Sequence, residues 1–381
     1  MKPGLLIISH GSRDESWVTL VEEAIAQTDW PDGVAVVSSY LECVPEQDIQ
    51  YGINTLEAQG VNHIGVIPLF VSAGSTHADE IAYALGAKPA PLCETDLEPF
   101  RVQARVYYGR PLDGGNVVPL QACATAMLGE GIEDNGHTVS SSTSAHIEQC
   151  GDGIEVGSYL ELSEEPVRCY SNADVDNKGS QEDVLLQMVE GRLRGLGVRP
   201  DSDAVLLVAH GSRYEPFASR WHESLRQLER KLVLHGACAG ASHALLCCED
   251  IAEAVSRLQS VLTLGQDEIV WSGRAEQLTV PLDSFGGMDV FDGHDGGGRS
   301  CGEQTVERRV AVVPVFLSRG YFTSHVIPQR LGDVSAMYDG EALLPHSALN
   351  RWLQQEAVRL LAMMKDEGEC ISIVGAGIGI V

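Results

Sequence analysis

The chain has 381 residues, 44% of them hydrophobic, and sets 54 acidic against 26 basic side chains for a formal charge of -28. That length supplies cores for two or three domains, and so negative a chain repels phosphate, which excludes nucleic-acid binding driven by overall charge. Only five of the basic residues are lysines, and an acidic surface that keeps arginine suits a salt-rich cytoplasm, where screening removes much of the self-repulsion.

Leu5 to Ser9 is predicted as an apolar strand, and it starts too soon after the first residue for a secretory leader. Glu15 to Gln27 follows as a helix, with Trp17, Leu20, Val21, Ala24 and Ile25 at helical spacing. Val34 to Tyr40 reads as a strand, Ile49 to Ala58 as a helix, Ile64 to Val71 as the third strand, Asp79 to Leu85 as a helix, and Arg101 to Tyr107 as a fourth strand. From Gly114 to about Asp201 the chain is loop-rich, with SSSTS at Ser140 and a broken helical pattern over Glu182 to Leu196. Strands return at Val205 to Ala209 and Val310 to Leu317, and a closing helix spans Ser347 to Met364. Between those strands lies a glycine-dense insertion, 282–304. Strands that are apolar throughout and alternate with helices predict an α/β fold whose parallel sheets are covered on both faces. No apolar run approaches the roughly 18 residues that span a bilayer, so the expected protein is soluble, cytoplasmic and without a membrane partner.

The sequence repeats itself. LLIISHGSRDESWVTLVEEAIAQ from Leu5 returns as VLLVAHGSRYEPFASRWHESLRQ from Val205, so that His10-Gly11-Ser12-Arg13 faces His210-Gly211-Ser212-Arg213. IGVIPLFVSAG at Ile64 returns as VAVVPVFLSRG at Val310, which aligns Pro68 with Pro314, Phe70 with Phe316, Ser72 with Ser318 and Gly74 with Gly320. Two such matches in the same order indicate a duplicated domain. The expected organisation is an N-terminal lobe over 1–113, a loop-rich insert or linker over 114–201, and a C-terminal lobe over 202–381 that carries the glycine-rich insertion. Both repeated histidines fall just beyond the carboxyl ends of their strands, where open α/β sheets place ligands.

A strand ending in HGSR, then a strand of the form P-[LVF]-F-[LV]-x-x-G with a histidine close behind, resembles the CbiX and SirB class of sirohydrochlorin chelatases. The two-lobed form of that class resembles this chain over about 1–112 and 204–362. The resemblance implies insertion of a divalent metal into a tetrapyrrole, with one strand-end histidine as principal base and metal ligand. His10 is favoured, because its half also carries a second histidine on the adjacent loop. Neutral imidazole suits both tasks near neutral pH, since it can bind a borderline metal and can collect pyrrole protons. The resemblance further implies that His10, Glu80 and His210 are catalytic and that His10 and His77 hold the metal. Ser12, Arg13, Ser212 and Arg213 are expected at the substrate, where guanidinium groups and free helix N–H donors would meet its carboxylates. Simple ion pairs of Arg13 with Glu15 and of Arg213 with Glu215 are the alternative. A locally positive cleft mouth is expected, led by those two arginines.

The second motif departs from the family pattern. GSTHADEI puts Thr76 at the expected histidine and His77 one residue later, a rotation of roughly 100° on a helix. GYFTSHVIP puts Phe322 there and His325 three residues on, and Glu80 aligns with Val326. One active and one degenerate lobe are therefore expected. His346 reads as the start of the last helix, His63 and His222 as residues of solvated faces, and His137, His146, His235, His243 and His294 have no motif around them.

Ten cysteines in a long chain without a leader predict reduced thiols. None forms a C-x-x-C pair, so an iron–sulfur cluster built from residues such as Cys123, Cys150, Cys169, Cys238 and Cys301 has no support from spacing. Cys43, Cys247 and Cys248 are expected as buried apolar thiols. No phosphate loop, dinucleotide fingerprint or nucleophile elbow is present, so no nucleotide is expected to drive the reaction. The reading is a sirohydrochlorin cobaltochelatase with Co2+ as metal substrate. Fe2+ or Ni2+ insertion is its alternative within the class, and a non-catalytic tetrapyrrole or metal carrier the alternative outside it. A single chain can form the whole cleft, so a monomer would suffice, and the sequence leaves the oligomeric state open.

Overall fold

Two parallel β-sheets organise the computed structural model, which describes residues 1–44, 46–118, 183–263 and 308–376, with side chains to Asp366. Strands β1 (Pro3–Ser9), β2 (Ala35–Tyr40), β3 (His63–Pro68) and β4 (Arg105–Tyr108) form the first, in the order β2-β1-β3-β4. Strands β5 (Ala204–Ala209), β6 (Gly240–Leu245) and β7 (Val310–Pro314) form the second, in the order β6-β5-β7. The central strands β1 and β5 are buried almost throughout, which explains their unbroken apolar sequences. Register pairs Ile8 with Pro68 in one sheet and Val208 with Pro314 in the other. These are the positions that the two sequence motifs align.

Short side chains start several helices. Asp14 accepts the Ser16 N–H at 2.9 Å ahead of α1 (Glu15–Ala26), and Asp48 accepts the Tyr51 N–H at 2.7 Å ahead of α2 (Ile49–Ala58). The next helix, α3 (Thr76–Ala84), starts three residues earlier than its apolar pattern predicts. The middle helix is continuous as α4 (Val184–Leu196), entered at Asp183 and closed by Gly197 at φ 68°. In α5 (Phe217–Leu234), Phe217, Trp221, Leu225, Leu228 and Leu232 form the buried stripe. It is followed by α6 (Ile251–Thr263), and after β7 by the short α7 (Ile327–Leu331). Strands three and seven end at proline, earlier than expected, because the chain leaves the ladder after one more bond each, Leu69 N–H to Ile8 O and Val315 N–H to Val208 O.

Helix α8 (Ser347–Ala376) begins where His346 Nδ1 accepts the Ala348 N–H at 3.1 Å, in agreement with the sequence reading. Chain order assigns α8 to the second sheet, but it packs against β1, β3 and β4 of the first. A Cβ on Gly65 would lie 3.0 Å from Met364 Cε, Glu356 accepts the Arg110 N–H at 2.8 Å, and Asn350 donates to Ala24 O at 2.6 Å. The place beside β7 and α5 is taken by α4. One apolar layer accordingly joins Leu5 and Ile7 to Leu207, Trp221, Trp352 and Leu360. Segments 119–182 and 264–307, with the 282–304 insertion and most of the expected 114–201 insert, lie outside the described residues.

Two contacts bring the carboxyl ends of the sheets together. Gly74, after β3, lies so close to α5 that a Cβ would stand 2.7 Å from Trp221 Cδ1, and Arg220 donates to Ala73 O at 3.3 Å. Gly320, after β7, faces the Trp17 ring of α1, with 3.5 Å left for a Cβ.

Candidate functional site

His10 follows β1 directly, and Gly11 turns the chain at φ 91°, where any Cβ would fall 1.9 Å from Glu42 O. Gly211 makes the same turn after β5 at φ 77°. Ser12 Oγ then accepts the Asp14 N–H at 3.0 Å and Ser212 Oγ accepts the Tyr214 N–H at 3.2 Å. Both hydroxyl oxygens therefore hold the turn, leaving the hydroxyl protons for a ligand. HGSR is thus a device that fixes a histidine at a strand end.

Hydrogen bonds set the histidine tautomers. His10 Nδ1 lies 3.1 Å from Gly11 O, and His210 Nδ1 lies 3.1 Å from Gly211 O. A carbonyl only accepts, so Nδ1 carries the proton in each ring and Nε2 keeps its lone pair. His77 Nδ1 lies 2.6 Å from Glu80 Oε1, which fixes the same tautomer in a third imidazole. The His10 and His77 rings meet edge to face with centroids 4.7 Å apart at 76°. His77 is therefore turned to His10 despite its one-residue displacement, because α3 begins directly after Ser75 and carries it in its first turn.

Electrostatics favour the unprotonated form of His10. Burial is the main influence holding His10 below the ordinary imidazole value; His77 and His210 add to it, while Gly11 O and Glu42 oppose it. Glu42 Oε1 is 3.5 Å from His10 Nε2. Burial would raise Glu80, but hydrogen bonds from His77 and Thr95 outweigh it and hold the carboxyl below its usual range. Thr95 donates to Glu80 Oε2 at 2.7 Å. The loop bearing Thr95 is anchored by the buried ion pair of Lys88 with Asp79, whose other oxygen accepts the Leu92 N–H at 2.8 Å.

In the second lobe the ring beside His210 is Phe322, with centroids 5.0 Å apart at 84°. Phe322 stacks on Phe316 and meets Tyr321, which stacks on His325. His325 thus belongs to a π-helical turn over Phe322–Val326 and is not brought to His210. Tyr214 and Tyr321 are exposed at 66% and 69%, so this lobe shows an aromatic rim.

The arginines are placed less simply than expected. Arg13 is exposed and Arg213 donates through Nε to Cys247 O at 2.7 Å. Neither pairs with Glu15 or Glu215 among the described residues. Arg319, which the sequence did not single out, pairs with Glu341 at 3.3 Å and adds to the hydrogen bonds of Ser16 that lower Asp14. With Glu42, Asp14 and Glu80 nearby, the mouth carries both signs instead of being uniformly positive.

Other expectations need correction. His222 is half-buried and not on a solvated face: its Nδ1 meets Nε2 of His243 at 2.8 Å, and buried His243, which had no motif around it, donates through Nδ1 to buried Glu229 at 2.5 Å. Cys43 and Cys248 are exposed and Cys247 is half-buried, whereas Cys238 is the buried thiol among the described residues. The reason is location, since Cys43, Cys247 and Cys248 lie in the turns after β2 and β6 and not in the strands. Cys123, Cys150, Cys169 and Cys301 fall outside the described residues, as do His137, His146 and His294. Among the described residues, no three His, Cys, Asp or Glu side chains are grouped to hold a metal, and no helix is long and apolar enough to cross a membrane.

Residues 4–119 match the CbiX family model. No curated protein matches the chain. Among solved structures, the chain is similar to SirB from Bacillus subtilis with Fe3+, at 15% identity and a TM-score of 0.50, covering 96% of this chain and 98% of that one. It is also similar to the sirohydrochlorin chelatase SirB from Bacillus subtilis subspecies spizizenii in complex with cobalt, at 13% identity and a TM-score of 0.47, covering 94% and 95%. A multi-domain protein from Deinococcus radiodurans, described as structurally similar to chelatases, matches at 13% identity and a TM-score of 0.43, covering 93% of this chain and 54% of that one.

Proposed function

We propose that this chain is a metal chelatase acting on sirohydrochlorin, with Co2+ as the inserted ion. The observation that carries the reading is the meeting of His10 and His77, each with Nε2 unprotonated, at the carboxyl end of a sheet whose residues match the CbiX family model. In this reading the two related lobes, 1–113 and 202–381, enclose one cleft within a single cytoplasmic chain, with 114–201 between them.

Insertion exchanges one divalent ion for two pyrrole protons, so the site must bind the ion and accept two protons. His10 and His77 supply two nitrogen donors of the borderline kind that suits Co2+, Fe2+ and Ni2+. The ion is a substrate, and water and then pyrrole nitrogens complete its shell. As a pyrrole nitrogen takes the place of His10 on the ion, the His10 Nε2 to metal bond breaks, and the freed Nε2, neutral by burial, accepts the first proton. Once the ion has moved from His77 Nε2 to the pyrrole nitrogens, that Nε2 accepts the second proton while Nδ1 passes its own to ionised Glu80. His210 faces the macrocycle from the other lobe as a further acceptor, and Phe322 and Tyr321 give its plane an aromatic surface. Ser12, Arg13, Ser212 and Arg213 meet the substrate carboxylates through hydroxyl and guanidinium protons.

Purified chain mixed with sirohydrochlorin and Co2+ should shift the macrocycle's absorption bands faster than the uncatalysed reaction, and His10→Ala should abolish that acceleration while macrocycle binding persists. Parallel runs with Fe2+ and Ni2+ rank the metals. No acceleration with any of the three ions would refute the chelatase reading, and binding without insertion would favour a carrier.

A further inference from the structure

We infer that Cys247 and Cys248 form a chelating site for one thiophilic divalent cation with a filled d shell, at the rim of the second lobe. Neighbouring side chains on a strand point to opposite faces, so adjacent cysteines seldom present both sulfurs together. Here the chain has left β6 in a tight turn, closed by Cys248 N–H and Glu249 N–H to Leu245 O at 3.2 and 2.9 Å. The turn brings the two Sγ atoms to 3.4 Å, with both thiols free, Cys248 exposed and Cys247 half-buried.

The spacing suits a bridging ion. With sulfur to metal bonds of about 2.3 Å, a 3.4 Å separation corresponds to an S–metal–S angle of roughly 95°. The pair is also held in place: Cys247 N–H donates to His210 O at 3.1 Å, Cys247 O accepts from Arg213 Nε at 2.7 Å, and Cys247 Sγ lies where a Cβ on Gly211 would be 2.9 Å away. In the first lobe the residue bonded in the same way to the His10 carbonyl is Glu42, at 3.0 Å. One lobe thus sets a carboxylate beside its strand-end histidine, and the other sets two sulfurs there.

Binding replaces two S–H bonds with two S–metal bonds and releases two protons, so the site becomes neutral as the ion's charge is met by two thiolates. No third His, Cys, Asp or Glu completes it among the described residues, so water fills the open positions. Its two sulfur ligands are not among the groups assigned to metal insertion, although His210 and Arg213, which are, hold Cys247 in place, and the site stands whether or not that assignment holds.

Cd2+ is the probe, titrated into the full chain while sulfur-to-cadmium charge-transfer absorption is followed in the ultraviolet. The wild type should bind one more sulfur-ligated equivalent than the Cys247→Ser/Cys248→Ser variant, and His10→Ala and Cys43→Ser should keep that equivalent. Equal stoichiometry in wild type and double variant, or no such absorption in the wild type, overturns the inference. A second measurement needs no variant: one equivalent of Cd2+ should slow iodoacetamide labelling of Cys248, read by mass spectrometry, at least tenfold. An unchanged labelling rate overturns the site equally.

Discussion

The ring of Phe322 stands edge-on to His210 in the geometry that His77 holds against His10, with centroids 5.0 Å apart at 84° against 4.7 Å at 76°. Motif alignment pairs Phe322 with Thr76, so the spatial partner differs by one residue from the sequence partner. The two lobes share a frame but not a ligand set. Phe322→His should therefore add an imidazole beside His210 and raise the number of Co2+ ions bound by one, counted by calorimetry. The converse change, His77→Phe, should remove Co2+ binding at His10 and slow insertion by about 10²-fold or more.

Glu80 acts on its histidine through the 2.6 Å hydrogen bond. Glu80→Gln keeps the shape but removes the charge, so Co2+ affinity should fall about 10–100-fold, as is usual when the carboxylate partner of a ligating histidine is lost. Equilibrium titration with Co2+ measures it, and Thr95→Val should show a smaller loss of the same kind.

Acidity limits are set by His10. Its depressed pKa means that between that value and the ordinary 6.5 the unfolded chain binds a proton that the folded chain refuses. The His10 contribution to stability therefore rises with pH through this window and is lost as pH falls through it. Activity should persist somewhat below pH 6.5 and drop once His10 is protonated. His210→Gln removes one of the titratable neighbours that lower His10, so the acid limb of the kcat/KM profile for insertion should move upward toward the ordinary imidazole value.

Two glycine substitutions should differ sharply. Gly11→Ala forces a Cβ to within 1.9 Å of a backbone oxygen at positive φ, and it should cost about 1–3 kcal/mol and displace His10. Gly320→Ala meets only Trp17 at 3.5 Å, an ordinary contact, and should leave the denaturation midpoint nearly unchanged. Urea denaturation of the two variants compares them directly.

Lys88 and Asp79 form a buried ion pair under the Thr95 loop. Lys88→Met leaves Asp79 charged and buried, so it should destabilise the chain by about 3–5 kcal/mol, and Lys88→Met/Asp79→Leu should recover most of that. Thermal melts of the pair test the prediction.

Much of this architecture was legible in the residues. The unbroken apolar strands, the two HGSR turns and the paired proline strands gave the parallel sheets and their register, because burial on both faces leaves a plain sequence signal. The orientation of His77 was not legible, since it depends on where α3 begins, and Ser75 makes no side-chain cap bond that would mark the spot. The Glu229–His243–His222 chain was hidden for a related reason: GASHAL carries one polar ring in a strand, and only the facing helix shows that its two nitrogens are matched. The exchanged helices α4 and α8 could not be read from chain order, because their apolar stripes suit either sheet.

That exchange makes the halves interdependent. Cut between residues 118 and 183, the first fragment would lose the helix that covers Gly65 and the carboxylate that accepts the Arg110 N–H. The second would keep α8 with its apolar stripe unburied, Leu353, Leu360 and Met364 among it. Each fragment would be aggregation-prone alone and soluble in the presence of the other, so a split pair should reassemble the cleft on mixing and behave as an obligate heterodimer.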